Sequence, residues 1–501
     1  MRKFTVVRSN RHTPASRSNP DTAHPMKRIF VCLTFVFCIS VLRAQDKPAE
    51  GNRQSALVVH EWGTFTSLQD EKGNAIPGIN TDDEPVPPFV HRLGNNLIAP
   101  QRTNFPGQQI FTMDYKIPGV VQPDPDVLVR LETPVIYFYP PAGWEAQAVD
   151  VHVAYPGGWL SEFYPNAVSK APGFLQGGPG KLVGHLSGDA TGELSWTGLV
   201  VGGDGGTTPS TESKVWLAPR AVKATPVVAA NGEREKFLFY RGVGNVEPAL
   251  RVARNGTGGL EVRDNECQQV SNIREAQRIH AAWLVDVRAD GACAFKALGA
   301  VEPAQGVRAT MPGGFDAREY SAENMAALRG EMHTALVGGG LFADEAEAML
   351  NTWEVSYFKS PGLRFFYLCP RTQIDAALPL QISVAATISR VMIGRVEIVT
   401  PGQRALLKEI SSGPGAEKQN RDYTSLGRFR NALVLDEQKH SPTAALNDFI
   451  GRNGLGAYDA APPRRALAGT YGMAALVASA LMVALRFGVK AGRRLLPQRR
   501  A

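Results

Sequence analysis

Between residues 56 and about 310 the chain is a succession of short runs rich in Val, Ile, Tyr, Phe and Trp, each bounded by Gly, Pro, Asn or Asp. That punctuation limits what it can fold into. The runs DVLVRLETPVIYFYP, AVDVHVAYP, GELSWTGLVV, KVWLAP, EKFLFYRGVG and AWLVDVRADGACAFKAL have the length and residue types of strands. Two stretches predict hairpins: ALRVARNGTGGLEVRD, bending at Asn255-Gly256, and AWLVDVRADGACAFKAL, bending at Asp290-Gly291. No run of ten or more residues here keeps a helical period of 3.6, so helix is not expected. The 50 Gly and 35 Pro make about 17% of the chain, against roughly 12% on average, which suits many turns. The expectation over 56–312 is a β-sandwich-rich region, one large or two small sandwiches.

The period changes near residue 320. SAENMAALRGEMHTALVGGG predicts a helix capped by Ser321, with Met325, Leu328, Met332 and Leu336 on one face. ADEAEAMLNTWEVSYF predicts a second, with Asp344 and Glu347 at capping-box spacing. Its Met and Trp stripe reads as core rather than as a cofactor box. Strands return in GLRFFYLCP, LPLQIS and SRVMIGRVEIV, and helices in PGQRALLKEI and SPTAALNDFIG. The fold class expected is therefore mainly β: a β-sandwich-rich ectodomain, a smaller α+β domain over 315–452, and one C-terminal transmembrane helix.

The tails carry the targeting signals. Lys27 and Arg28 precede the apolar run IFVCLTFVFCISVL, and a cleavage site fits after Ala44, so 1–44 reads as an N-terminal extension and signal peptide. An uncleaved N-terminal anchor is the alternative. Residues 453–465 read as a flexible stalk and 466–485 as twenty uncharged residues, enough to cross a bilayer. A buried Ala-rich helix and a sorting signal are the other readings of that segment. The Arg-rich segment 486–501 places the C-terminus in the cytoplasm. The tails together carry +14 against a total of +7, which leaves the body at −7 and gives no support to a nucleic-acid partner.

Three cysteines follow the signal, and Cys267 with Cys293 is the preferred pair if a disulfide exists. Their spacing does not suit zinc.

The stretch VVHEWGTFTSLQDEKG places His60 beside Glu61, the two catalytic candidates. Strand alternation puts Val58, His60, Trp62, Thr64 and Thr66 on one face and Val59, Glu61, Gly63 and Phe65 on the other. The pair then points apart unless a bulge at Gly63 re-aims it. The zincin pattern fails, because Thr64 stands where a second His is needed. NTDDEPVPPFVHR supplies Asp82, Asp83, Glu84 and His91 as candidate metal ligands, and a divalent cation such as calcium is the ion such a loop could take. No cofactor is predicted, and a solvated acidic turn is the plainer reading of the loop.

Other signals are weaker. Asp150 and His152 share a strand face; His185 and Ser187 lack the glycines of a nucleophile elbow; neither GGPGKL nor VVGGDGGTTPS matches a nucleotide loop. Glu132, Glu162, Glu193 and Glu212 are carboxylates from which a glycosidase pair could arise.

With HEWGTFTS, LETPVIYFY, EKFLFYRGVG, LFADEAEAMLNTWEVSYF and RVMIGRVEIVTP, the chain resembles a group of uncharacterised exported proteins of environmental bacteria over most of residues 56–400. The resemblance implies export and a single evolutionary unit, and it supplies no catalytic residue. The function expected is that of a membrane-anchored extracytoplasmic binding or scaffolding protein of the cell envelope, with an envelope protein or glycan as partner. The alternative is a hydrolase of polysaccharide or peptide, metal-dependent or not.

Overall fold

The computed structural model describes residues 56–455 except 83, 95–96, 101–103, 106–107, 110–121, 176–183 and 266–276. Its first strand, β1 (Leu57–Gln69), carries the HEWGTFTS motif and is buried along both faces, only Val58 and Phe65 being partly exposed. A strand buried on both sides needs cover on both sides, and the rest of the fold supplies it.

The further main strands, shorter ones aside, are β2 (Val129–Tyr139), β3 (Gln147–Pro156), β4 (Gly158–Tyr164), β5 (Thr191–Val201) and β6 (Phe237–Gly244). After them come β7 (Leu250–Arg254), β8 (Leu260–Asp264), β9 (Ile279–Val287), β10 (Cys293–Val301), β11 (Gly362–Leu368) and β12 (Ala386–Ile398). Most join one 15-stranded sheet in which the main strands lie in the order β5, β4, β6, β2, β1, β12, β11, β9, β10. The β1–β12 pair is parallel and runs unbroken from Leu57↔Ala386 to Gln69↔Ile398. Strand β2 pairs with β1 antiparallel, with a bulge opposite Gly63. The extra residue is on β2, at Thr133 (φ 45°) and Pro134, so the alternation of β1 itself is undisturbed. Gly63 is required there, since a Cβ would sit 2.9 Å from Pro134 Cα.

Helices cover one face of the sheet. Helices α1 (Lys214–Arg220), α2 (Glu323–Gly338) and α3 (Ala343–Thr352) bring Trp216, Leu328, Met332 and Met349 onto Trp62, Tyr137, Phe239 and Phe366. Helix α4 (Arg371–Ala377) instead packs Ile374 on the opposite face. Helices α5 (Pro401–Ser412), α6 (Ala416–Ser425), α7 (Arg430–His440) and α8 (Ala444–Arg452) bring Leu407, Leu433 and Phe449 onto Leu68, Trp159 and Val243. The opposite face holds Val59, Val151, Trp196, Phe365 and Val396 in a third cluster. Gln69, fully buried, stitches β1 to β7: its Nε2 donates to Leu250 O and its Oε1 accepts from Val252 N, both at 2.8 Å.

The mainly β expectation is thus corrected. The fold is mixed α/β, 37% strand and 26% helix, with a helical layer against one large sheet in place of sandwiches followed by a separate α+β part. The reason is the parallel pairing: β11 and β12, from the later stretch, insert between β1 and β9 of the earlier one. KVWLAP, expected as a strand, lies in α1. Both predicted hairpins form, as β7–β8 and β9–β10. Thr443 caps α8, its side chain accepting from Leu446 N.

Among the described residues no helix is long and apolar enough to cross a membrane. The predicted span 466–485, the tail 486–501 and the signal segment 1–44 lie outside the described residues, as does the stalk beyond Leu455, which is itself buried against the α5–α8 layer.

Candidate functional site

Alternation along β1 separates His60 and Glu61 as the sequence implies. His60 faces the helices, where its Nδ1–H donates to Glu345 Oε2 of α3 at 2.7 Å. Tyr139 Oη donates to the other oxygen of Glu345, also at 2.7 Å, and the His60 ring packs between Tyr139 and Phe342. His60 is 4% exposed and Glu345 fully buried. Glu61 faces the other layer, where Arg390 Nε–H donates to it at 2.5 Å and the Tyr240 hydroxyl donates to its second oxygen. Arg390 in turn reaches Asp375 of α4 at 2.9 Å. Each residue of the conspicuous pair ties β1 to a different layer.

The acidic loop does not converge on either of them. Asp82 is buried and meets Arg241 Nη1 at 2.5 Å. Burial pushes its carboxyl up, but Arg241 and then Arg130 outweigh this and hold it below the usual carboxylate range. The Glu84 backbone carbonyl accepts from Arg241, and His91 Nε2 meets Glu233 at 2.8 Å while stacking on Phe163 and Tyr164. Asp83 lies outside the described residues. Among the described residues no group of three or more His, Cys, Asp or Glu is placed to hold a metal ion.

The remaining polar candidates find local partners. His152 meets Ser195 across β3–β5 at 2.9 Å, Asp150 accepts from Gly198 N at 2.7 Å, and His185 meets Asp126 at 2.7 Å. Glu193 pairs with Lys170 and Glu132 with Arg428. Asp82 and Glu162 share Arg241, at 2.5 and 3.6 Å, and line one opening with Arg92. Arg241 keeps Asp82 ionised. Cys293 and Cys369 are free, buried thiols, burial pushing the former up to about 11; Cys267 lies outside the described residues.

Glycines in neighbouring strands seat two tyrosine rings that line a cavity. The Tyr155 ring of β3 lies flat across Gly158, Gly242 and Gly244, where added Cβ atoms would come within 2.3, 3.1 and 2.3 Å of it. Tyr367 of β11 lies in the same way over Gly394 of β12, 2.0 Å from where a Cβ would stand. Strand glycines are costly in conformational entropy, and here they let backbone and ring approach closely. Between the two rings is a pocket of ≈ 70 Å³. Phe65, Ser67, Val129 and Val396 lie along its sheet side, while Val246–Ala249, Gln373 and Ala377 complete the wall. Tyr155 is 1% exposed, and its hydroxyl makes no hydrogen bond within the protein.

Sequence reasoning missed the partners and the pocket, although signals for both exist. Glu345 stands four residues before Met349, on the apolar stripe of α3, where a carboxylate requires a buried partner. Arg390 precedes Met392, Gly394, Val396 and Ile398 on an otherwise inward face. Gly242, Gly244 and Gly394 interrupt strong strand runs.

No family model and no curated protein matches the chain. Among solved structures it is similar to the Fcho1 Mu homology domain of Danio rerio with bound Eps15 peptide. The match is 10% identical, covers 69% of this chain and 97% of that one, and has a TM-score of 0.25, which does not establish a common fold.

Proposed function

We propose that the chain is a binding protein of the cell envelope, its body extracytoplasmic and anchored through residues 466–485. The observation that carries the binding role is the aromatic pocket between Tyr155 and Tyr367, a concave apolar site with few polar groups, the usual form of a ligand site. Its walls favour an apolar partner group over a glycan, which would need many hydrogen-bonding side chains. The export signal, the basic C-terminal tail and the resemblance to exported proteins support the location. His60, Glu61 and Asp82 are engaged in buried pairs, which favours binding over hydrolysis.

Two measurements test this. Saturation-transfer NMR of the purified full-length chain with ethylbenzene should show binding that Ala377→Trp, at the pocket wall, removes; equal signals from both proteins would refute the site. Protease added to intact spheroplasts should degrade the body, and a protected body would refute the location.

A further inference from the structure

Two charged residues line the pocket, Glu247 and Arg395, and they stand differently toward it. Arg395 alternates to the helical face of the sheet, where it pairs with Glu397 at 2.5 Å and lies 5.7 Å from the centre of the Tyr357 ring. Its charge is turned away from the cavity. Glu247 belongs to the connection between β6 and β7 and is exposed to solvent. One of its carboxylate oxygens accepts from Asn265 Nδ2 at 3.2 Å, a neutral donor that steadies the side chain without cancelling its charge. Among the described residues no cation pairs with it, and Arg308, whose charge reaches Tyr367, is paired with Asp264 at 2.8 Å. An uncompensated carboxylate beside an apolar cavity attracts cations and repels anions.

The floor adds one neutral polar group. Phe65, Ser67, Val129 and Val396 share the sheet face that looks into the cavity, Ser67 standing between its strand neighbours Val129 and Val396. The Ser67 hydroxyl makes no hydrogen bond to a described residue and, unlike that of Tyr155, is not sealed off from the cavity. A hydroxyl both donates and accepts, so it receives a polar head group of any charge and leaves the selection of charge to Glu247. A hard metal ion is not served here, since it takes about six to eight oxygens. The remaining walls are apolar, and ≈ 70 Å³ holds roughly five non-hydrogen atoms.

We infer that the pocket takes a compact organic cation, an alkylammonium whose short apolar body enters between Tyr155 and Tyr367 while Glu247 holds its charge. This rests on the pocket being a binding site, and the test separates the two ideas.

Isopentylamine and isopentanol have nearly the same shape and differ in charge; isovalerate carries the opposite charge on a similar body. Each is titrated by saturation-transfer NMR against the purified full-length chain, with Ala377→Trp as the blocked control. Isopentylamine should bind about three- to fivefold more tightly than isopentanol in about 0.02 M salt, and the ratio should shrink toward one in about 0.5 M salt. Glu247→Gln, which keeps an acceptor for Asn265, should bring the amine down to the level of the alcohol, and Glu247→Lys should turn the preference toward isovalerate. Equal binding of amine and alcohol by the natural chain at low salt, tighter binding of isovalerate, or an amine preference that survives Glu247→Gln would overturn the ligand class and leave the binding role standing. If none of the three binds beyond the Ala377→Trp control, both ideas fail. The ratio in the natural chain and its salt dependence decide even if neither Glu247 variant folds.

Discussion

Glu61 and Arg390 are register partners across the parallel β1–β12 pair, their charged groups 2.5 Å apart and neither side chain more than 1% exposed. Removing one member of such a pair strands the other charge in the interior. Glu61→Ala should therefore cost about 3–5 kcal/mol. Glu61→Gln should cost less, because one amide oxygen can still accept from Arg390 or Tyr240 but not from both. Urea unfolding followed by tryptophan fluorescence measures this, and a loss below about 1 kcal/mol for the alanine variant would contradict the pairing.

Asp124 predicts the opposite sign. Burial pushes its carboxyl up from 3.8 to about 6, although the Asp126 N–H donates to it. The folded chain then holds this proton more tightly than the unfolded chain. That contribution is full below about pH 4 and is lost as pH rises through 6. Asp124→Asn keeps an acceptor for Asp126 and removes the buried charge. It should be more stable than the natural chain by about 1–3 kcal/mol at pH 7.5, with the difference vanishing near pH 4. Unfolding midpoints at the two pH values check it.

Gly394→Ala would set a methyl 2.0 Å from Tyr367 Cε1, in a ring already stacked on Phe365. The ring must leave its seat. A loss of about 1–3 kcal/mol is expected, with loss of pocket binding. Gly256→Ala, at a hairpin bend with open space around its Cβ, should change little, and thermal unfolding of the two variants side by side gives the comparison.

Tyr155→Phe should leave stability unchanged or raise it by up to about 1 kcal/mol, because it removes a buried hydroxyl with no protein partner. Most buried Tyr→Phe changes lose a hydrogen bond, so a clear destabilisation here would show that the hydroxyl is satisfied in solution.

Local chemistry made much of this readable from the sequence. Val-Val, Trp and Phe around HEWGTFTS define a strand, and alternation alone sends His60 and Glu61 to opposite faces, where Glu345 and Arg390 receive them. Asn255-Gly256 and Asp290-Gly291 mark real hairpins. What stayed hidden was pairing at a distance. RVMIGRVEIV reads as a strand, but nothing in its own letters says that it lies parallel to β1, and that single pairing turns a sandwich into one sheet with a helical layer. The two-sided burial of β1 was obscured because Thr64, Thr66 and Glu61 look solvent-facing. Each is buried against a partner from elsewhere: Tyr357, Glu132 and Tyr240. KVWLAP misled because six residues are too few for either period to declare itself.

The union of β1 with β12 also sets the order in which the protein can be made. Glu61 and Arg390 are 329 residues apart. As the chain leaves the ribosome or a translocation pore, its first strand waits with one long edge unpaired until nearly all of the body has followed. Any product that stops short of residue 386 keeps that edge open, a template for association with other chains.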